Sequence, residues 1–396
     1  MRQVSEQRIS KLTHALVGMD SPSLSPCKLS DEEVLDLYEL ANRFWMGASF
    51  ANALIARSDF ADFSPEIIAY SKDLSSAAQK RNQLHKEQAI ELVKFLNDRE
   101  IEPLLIKGSA ELFSSVDNPQ GQRWMMDLDI VIPEDQVKPI WTELVDDLGY
   151  KPLYEDIIFD WKDPVWHHGP ILISPSGVSI ELHRSITSYN NLFFKSVNSD
   201  HIEPVKELFE QGLKAHQLDP TNKLILSISH DLISHEHFKN KIWDIRYSYN
   251  MYLLCKSYGE KIDWQTIDLI FDKYGDELEA AKAILSLYFD LPFAVDSKNI
   301  LFKQFVDSAI QKCNRSSTEV EDQALGYAYS QKIFNYFSPK RVLAGLDQPR
   351  ISQVFIRYFI KLIEIPKKLP FLSPKYRTTK VLRSAAKKYH PEMLDK

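Results

Sequence analysis

The chain has 396 residues, of which 44% are hydrophobic and 26% are charged, and its formal net charge is −7. At about 150 residues per domain, this length predicts two or three domains with a sizeable core. The modest negative charge excludes a protein that binds nucleic acid through an overall positive charge. The three cysteines lack metal or disulfide spacing, and no run approaches about 18 apolar residues, so we expect a cytoplasmic protein without a signal peptide or transmembrane segment.

Helical patterns dominate the first hundred residues, which we interpret as an N-terminal helical layer over 1–100. Apolar residues recur at helical spacing over 31–57, where Ser30 is a candidate N-cap. The helical pattern continues over 64–98, with Pro65 directly after a second candidate cap. The layer leads into a first strand at 103–107.

An α/β core is predicted over 101–190. After the first strand, a second apolar run carries two aspartates, and an amphipathic helix is expected over 134–148. Runs at 165–174 and 177–184 predict a hairpin that turns at the intervening serine, proline and glycine residues. Apolar stripes at helical spacing return over 205–335, which we interpret as a helical domain.

A basic segment is predicted over 340–396, where 14 lysines and arginines stand against four acids. Within it, 354–365 has the pattern of an amphipathic helix with a basic stripe. Three interpretations stay open at this point. In the first, the helix packs on the core with one solvated face. In the second, the segment binds a polyanion such as RNA, and in the third it binds an anionic membrane surface.

Two aspartates on one predicted strand carry the most specific chemistry in the chain. Asp127 and Asp129 are separated by one residue, so both side chains project from the same side of a strand. A pair of hard carboxylates suits Mg²⁺, which usually takes one or two carboxylates together with substrate phosphates. Glu181 lies between apolar residues on another predicted strand, and it either completes a three-carboxylate cluster or faces solvent.

A tight turn precedes the aspartates. The first strand ends at Lys107, and Gly108 and Ser109 then lead from strand to helix. Backbone N–H groups at such a position favour bound phosphate. The turn and the aspartates together indicate a metal-dependent protein that acts on a nucleoside triphosphate.

A resemblance follows from these motifs. The chain resembles the DNA polymerase beta-type nucleotidyltransferase superfamily in its Lys107-Gly108-Ser109 turn, Arg123, Asp127-Leu128-Asp129, Leu148-Gly149-Tyr150 and Glu181-Leu182-His183. It is most similar to the superfamily's uncharacterised bacterial family. The resemblance extends over about residues 80–290 and is strongest over 101–183. It implies an α+β fold, with a small mixed nucleotidyltransferase sheet flanked by N-terminal helices and a C-terminal helical region.

The resemblance implies transfer of a nucleoside monophosphate from an NTP, such as ATP, to an acceptor hydroxyl on a small molecule, a protein or an RNA end. Asp127 and Asp129 would bind two Mg²⁺ ions, with Mn²⁺ as an alternative, and Glu181 would bind the catalytic ion and help to activate the acceptor. Glu181 stands where the superfamily has aspartate, so its longer side chain must retract to reach the same position.

The remaining roles concern the triphosphate. Gly108 and Ser109 would hold it, while Lys107 and Arg123 are candidates for balancing the charge of pyrophosphate. Two other classes stay open. One is a non-catalytic nucleotide-binding or scaffold protein that retains the fold, and the other is a different metal-dependent phosphotransferase or hydrolase. The intact acids argue against the first, and the Gly-Ser turn favours triphosphate binding over simple hydrolysis.

Histidines cluster near residue 235. His230, His235 and His237 lack the spacing of a metal motif, so we expect them to cap helices, donate hydrogen bonds or lie exposed. The resemblance includes a similarly placed histidine, His230, and a later acid, Asp244. A structural role and a nucleotide-facing role are both open for these two residues.

Overall fold

A computed structural model describes residues 3–18, 29–114, 123–153, 159, 161, 167–187, 201–293 and 300–314. The chain divides into two compact units. The first consists of Met1–Ile132 and Asn191–Asn314, and the second of Pro133–Asn190 and Arg315–Lys396. The predicted basic segment over 340–396 lies outside the described residues.

Four helices begin the first unit, and local signals set their ends. Ser30 caps the second helix in a capping box, because its side chain accepts from the Glu33 N–H while the Glu33 carboxylate accepts from Ser30. The predicted helical stretch 31–57 is two helices, because Trp45 takes a positive φ of 58° between them. The four helices are α1 (Glu6–Val17), α2 (Asp31–Arg43), α3 (Gly47–Ile55) and α4 (Pro65–Asn97).

The first unit also contains a four-stranded mixed sheet. Its strand order is β2, β1, β7, β6, in which β1 pairs antiparallel with β2 and parallel with β7. Two short helices, α5 (Gly108–Glu111) and α7 (Lys206–Glu210), follow β1 and β6. The strands are β1 (Leu104–Leu105), β2 (Asp127–Val131), β6 (Ile202–Pro204) and β7 (His216–Leu218).

Further helices complete the first unit and share one apolar core with α1–α3. A π-helical segment over Ser229–Ser234 continues directly from the first of them. Single 3₁₀ turns lie at Phe60–Asp62, Gly259–Lys261 and Asp272–Tyr274. The helices are α8 (Pro220–Ile228), α9 (Ile245–Tyr258), α10 (Trp264–Ile270), α11 (Gly275–Phe289) and α12 (Ile300–Cys313).

The second unit, as far as it is described, is an antiparallel three-stranded ladder with one helix. It contains α6 (Glu134–Asp146), β3 (Lys151–Pro152), β4 (Leu172–Ile173) and β5 (Ser179–His183), with β4 between the other two strands. The predicted hairpin turn is confirmed, because Gly177 takes a φ of +88° between β4 and β5. Ile180 and Leu182 are buried on β5, while Glu181 is half-buried.

The α+β class is confirmed, with seven strands in mixed directions and helices before and after them in the described residues. The helix predicted over 134–148 is α6, and that predicted over 64–98 is α4. A helix able to cross a bilayer is absent from the described residues.

Candidate active site

Helix α4 holds the segment that leads into β2. The Arg81 guanidinium donates to the carbonyls of Met125 and Met126, the latter at 3.4 Å. Asn82 donates to the Arg123 carbonyl at 2.7 Å and accepts from the Met125 N–H at 3.2 Å. Asn82 is buried, so these bonds are shielded from competing water. Residues 123–126 are therefore fixed from one side immediately before the first aspartate.

The turn after β1 is tied to the second aspartate of β2. The Asp129 N–H donates to Ser109 Oγ at 2.7 Å, and Lys107 Nζ donates to Asp129 Oδ1 at 2.7 Å. Both Ser109 and Asp129 are buried, at 0% and 3% exposure. The Ser109 hydroxyl therefore orders the strand on which the Asp129 carboxylate lies.

Lys107 adopts a backbone conformation that lysine rarely takes. Its φ is +52° with ψ −133°, directly before α5. A non-glycine residue held in such a region costs of order 1–3 kcal/mol and is kept only where its surroundings impose it. Here the ion pair with Asp129 holds the Lys107 side chain in place. Strained backbone conformations of this kind concentrate at functional sites.

Arg123 pairs with an acid that the sequence did not single out. Its Nη1 donates to both carboxylate oxygens of Glu111, at 2.9 and 2.8 Å. Burial alone would lower the pKa of Arg123, but Glu111, with smaller effects from Tyr247 and Asp127, raises it. The guanidinium is thus held positive in the first unit, close enough to Asp127 to feel its charge.

The Asp127 charge also reaches Arg81. Burial lowers the pKa of Arg81, and the negative charge of Asp127 opposes that effect. Asp127 itself is half-exposed, whereas Asp129 is buried. The two predicted metal ligands therefore differ in environment: one is accessible to solvent, and the other is enclosed and already faces a cation.

In the second unit, Glu181 lies among histidines. Its Oε2 is 3.4 Å from His183 Nε2 and 3.9 Å from His168 Nε2. The His168 and His183 backbones form an isolated antiparallel bridge, which explains how two histidines distant in sequence meet the same carboxylate. The interpretation of Glu181 as a solvent-facing residue is therefore not needed, since the side chain has polar neighbours and is only 15% exposed.

Each unit contains side chains whose donor chemistry suits a divalent metal ion. In the described residues these are Asp129 in the first unit, and Glu181 and His183 in the second. Carboxylate oxygens suit Mg²⁺ and Mn²⁺ alike, whereas an imidazole nitrogen favours the later transition metals and accepts Mn²⁺ more readily than Mg²⁺. The sequence interpretation did not include His183 among the donors, whereas the predicted ligand Asp127 is not among the candidate donors of the described residues.

Asp244 lies at the start of α9. It is the N-cap of α9, and its carboxylate accepts from the Arg246 N–H at 3.0 Å and from the Arg246 guanidinium at 3.1 Å. Nearby, His235 and His237 follow the π-helical segment and are not part of a regular helix, so their rings approach to 5.2 Å.

Asp231 is a buried acid in this region to which the sequence interpretation assigned no role. Burial raises the pKa of Asp231 from 3.8 to about 6, although the hydrogen bond from His237 lowers it. The distance from Asp231 Oδ1 to His237 Nδ1 is 2.6 Å. The two residues are six positions apart in the sequence, a spacing that does not place side chains together on a regular α-helix. The π-helical segment brings them into contact.

The raised pKa of Asp231 predicts a specific pH dependence of stability. Because the folded state disfavours the ionised form, the contribution of Asp231 is fully present below about pH 4 and is lost as the pH rises through about 6. A difference of about two pKa units corresponds to about 3 kcal/mol. We expect Asp231→Asn to gain stability relative to the parent protein by up to this amount between pH 4 and 7, measured by urea unfolding.

The exposed Asp135 provides the control for that measurement. Asp135→Asn should shift the unfolding free energy by a small amount that hardly varies over the same range. A difference between Asp231→Asn and the parent protein that stayed constant from pH 4 to 7 would show that Asp231 is not a destabilised buried carboxylate.

One comparison with known proteins gave a match. A family model described as "Uncharacterised nucleotidyltransferase" matches residues 30–286. The chain belongs to this family. The match includes the Lys107–Ser109 turn, both aspartates of β2 and Glu181. Neither the curated proteins nor the solved structures gave a match.

The predicted membership of a nucleotidyltransferase family is confirmed, while the bacterial source stays a prediction. The family supports a nucleotide substrate and a transferase, and the donor set described above adds a candidate metal group. The domain boundaries at 1–100, 101–190, 205–335 and 340–396, and the roles of the individual site residues, stay predictions.

Proposed function

We propose that this protein is a metal-dependent nucleotidyltransferase that moves a nucleoside monophosphate from an NTP to an acceptor hydroxyl. The observation that carries the proposal is the ordering of the family's Asp-x-Asp strand. Asp129 is bonded through its N–H to Ser109 and through its carboxylate to Lys107, while α4 fixes the residues before Asp127. Such ordering is what phosphoryl transfer requires, because it depends mainly on positioning and charge neutralisation.

The proposed metal ligands are Asp127, Asp129 and Glu181, with His183 as an additional donor. When bound, Mg²⁺ or Mn²⁺ would stabilise negative charge that develops on the phosphate oxygens. Glu181 would also accept the proton of the acceptor hydroxyl. His168 and His183 flank the Glu181 carboxylate, at 3.9 and 3.4 Å from its Oε2, so a positive charge on either ring would favour the ionised carboxylate.

Lys107 has two consecutive roles in this proposal. In the described structure, its ammonium compensates the buried Asp129 carboxylate across 2.7 Å. A metal ion held by Asp129 would take over that compensation, and the Lys107 ammonium would then be available to a phosphate oxygen of the NTP. The Gly108 and Ser109 turn would position the triphosphate beside it, and Arg123, held by Glu111, would add positive charge for pyrophosphate.

An experiment with labels at two positions separates this function from its competitors. The protein is incubated with each NTP labelled either at the α- or at the γ-phosphate, together with Mg²⁺ and a cell extract. We expect the α-label, and not the γ-label, to enter an acceptor, because only the α-phosphorus is transferred. Mass spectrometry of the labelled product then identifies the acceptor.

The other outcomes assign the protein to the competing classes. Transfer of the γ-label would identify a phosphotransferase, and release of either label into water alone would identify a hydrolase. Binding of NTP without transfer, in extracts from several sources and with either Mg²⁺ or Mn²⁺, would favour a non-catalytic nucleotide-binding or scaffold protein. The experiment tests every NTP equally, because the proposed metal ligands do not discriminate between ATP and the other nucleotides.

The acceptor is proposed only as a hydroxyl. RNA remains one candidate, and the basic segment over 340–396 would then supply contacts to its phosphates. In that case, binding of the acceptor should weaken steeply with salt, since each phosphate contact releases counterions. A cytoplasmic location is likewise an expectation from composition.

A further inference from the structure

Four aromatic side chains form a compact cluster in the first unit. The His230 and His235 ring centroids are 4.2 Å apart, and those of His235 and His237 are 5.2 Å apart. Tyr247 lies 5.7, 5.8 and 6.2 Å from the His230, His235 and His237 rings, respectively. We call these four residues the histidine cluster.

A π-helical segment builds this cluster. It runs over Ser229–Ser234 and carries His230, while His235 and His237 follow directly. A π-helix is rare, and it is retained mostly at functional sites because its extra residue weakens the regular hydrogen-bond ladder. Here it brings three imidazoles together and places Asp231 behind them in the protein interior.

Asp231 and His237 form an acid–base dyad. Asp231 is 3% exposed and accepts from His237 Nδ1 at 2.6 Å, while the His237 side chain is 16% exposed. A carboxylate that engages Nδ1 fixes the ring and leaves Nε2 as the nitrogen that meets a substrate. The dyad is also kept at a cost to stability, since burial disfavours the ionised Asp231.

Through Tyr247, the histidine cluster interacts electrostatically with two cations of the candidate active site. Burial raises the pKa of Tyr247, and the positive charge of Lys107 opposes that effect. Burial lowers the pKa of Arg123, and Tyr247 is among the groups that raise it. Lys107 and Arg123 are the two cations that the proposed function assigns to pyrophosphate. Both cations are paired with acids in the described structure, Lys107 with Asp129 and Arg123 with Glu111. They would neutralise charge on pyrophosphate, whereas a group that protonates the leaving oxygen would make a separate contribution.

We propose that His237, oriented by Asp231, is the general acid that protonates the pyrophosphate leaving group. This inference rests on the proposed nucleotidyl transfer and adds a catalytic residue to it. Charged and titratable groups around the dyad are Asp244, Arg246 and Tyr247, which all interact electrostatically with each other or with Asp231.

Two protons move during the proposed transfer. The acceptor oxygen gives its proton to Glu181 and forms a bond to the α-phosphorus. The bond from the α-phosphorus to the oxygen that bridges to the β-phosphorus breaks, and that oxygen leaves with the electron pair. His237 Nε2 gives its proton to the same oxygen, and Asp231 holds the ring throughout. Dissociation of pyrophosphate, loss of the Glu181 proton to water and reprotonation of His237 from water complete the cycle.

The test varies the acidity of the leaving group. Single-turnover transfer is measured with the NTP that donates label and with its β,γ-methylene and β,γ-difluoromethylene analogues, whose leaving groups differ in acidity but hardly in shape. In His237→Gln, we expect the rate with the natural NTP to fall roughly a hundredfold, the lower end of what a general acid contributes. The difluoromethylene analogue should lose less rate than the methylene analogue, because its more acidic leaving group needs less protonation.

Two further variants complete the design. Asp231→Asn keeps the His237 ring and should show the same leaving-group dependence with a smaller loss of rate, which covers the case in which His237→Gln folds poorly. His216→Gln is the matched control, because His216 Nε2 also contacts a carboxylate, Glu102 Oε2, at 3.0 Å. That pair lies outside the candidate active site, so the ratio of rates for the two analogues should equal that of the parent protein.

The outcomes are distinguishable. In one outcome, the parent protein transfers the α-label, and the ratio of rates for the two analogues is the same in His237→Gln and Asp231→Asn as in the parent. The assignment of His237 as general acid is then overturned, while the proposed function stands. If NTP affinity falls while that ratio is unchanged, His237 binds substrate and does not donate a proton. If the parent protein transfers no α-label to any acceptor, the proposed function fails, and this inference fails with it.

Discussion

Asp127→Asn and Asp129→Asn should each reduce nucleotidyl transfer by more than roughly a hundredfold. Replacement of a residue that only supports a metal ligand typically costs 10–100-fold, and replacement of the ligand itself should exceed that. The amide keeps the size of the side chain but removes its charge. Transfer is measured with the α-labelled NTP and Mg²⁺. Asp135→Asn, an exposed acid on α6, is the control for a general effect of charge.

The two variants should differ in stability, because the two aspartates differ in environment. Asp129 is 3% exposed and faces Lys107, so Asp129→Asn leaves a partly buried ammonium without its counter-charge. We expect a loss of about 1–3 kcal/mol, less than the 3–5 kcal/mol for a fully buried pair, since Lys107 is 19% exposed. Asp127 is half-exposed, so solvent screens the charge that it presents to Arg81 and Arg123, and Asp127→Asn should lose less stability than Asp129→Asn.

A double variant separates the two effects of Asp129→Asn. Lys107→Met combined with Asp129→Asn removes both charges, so it should recover much of the lost stability in thermal unfolding while leaving transfer abolished. Near-full transfer by either single variant would rule out the assignment of Asp127 and Asp129 as metal ligands. Loss of stability by Asp127→Asn as large as that of Asp129→Asn would contradict the difference in environment.

The sequence predicted the local features of this site because short-range patterns determine them. Alternation placed Leu128 and Ile130 in the core and the aspartates opposite, and both apolar residues are fully buried. Ser30 could be recognised as an N-cap because Glu33 completes a capping box within three residues. The glycine of the hairpin turn was equally visible, since its left-handed conformation is a local requirement.

The supporting residues could not be predicted, because they depend on contacts between distant segments. Arg81 and Asn82 lie in the middle of a long helix, and only the packing of α4 beside residues 123–126 shows their role. Glu111 became the partner of Arg123 through a twelve-residue separation that no periodicity marks. The dyad of Asp231 and His237 was hidden because helix periodicity does not anticipate a π-helix.

Gly108 is expected to control NTP affinity, and the structure gives the mechanism. A Cβ atom at this position would lie 2.7 Å from Met125 Cε, 2.9 Å from Met125 Sδ and 3.4 Å from Arg123 Cζ. Gly108→Val should therefore displace both side chains and crowd the turn, at a cost of about 1–3 kcal/mol from overpacking. We expect NTP affinity, measured by calorimetry with Mg²⁺, to fall roughly tenfold or more, because a displaced turn no longer presents its backbone N–H groups to the phosphates. A tenfold loss corresponds to about 1.4 kcal/mol of binding free energy.

A second pair of variants distinguishes crowding of Met125 from crowding of the phosphate itself. Gly108→Ala should weaken NTP binding, and adding Met125→Ala removes the side chain that the new Cβ meets at 2.7 Å. If stability returns in the double variant while NTP affinity stays low, the Cβ obstructs the approach of the triphosphate to the backbone. Gly275→Ala is the control, because a Cβ there meets no atom within 4 Å. NTP affinity of Gly108→Val equal to that of the parent protein would remove the turn from the nucleotide site.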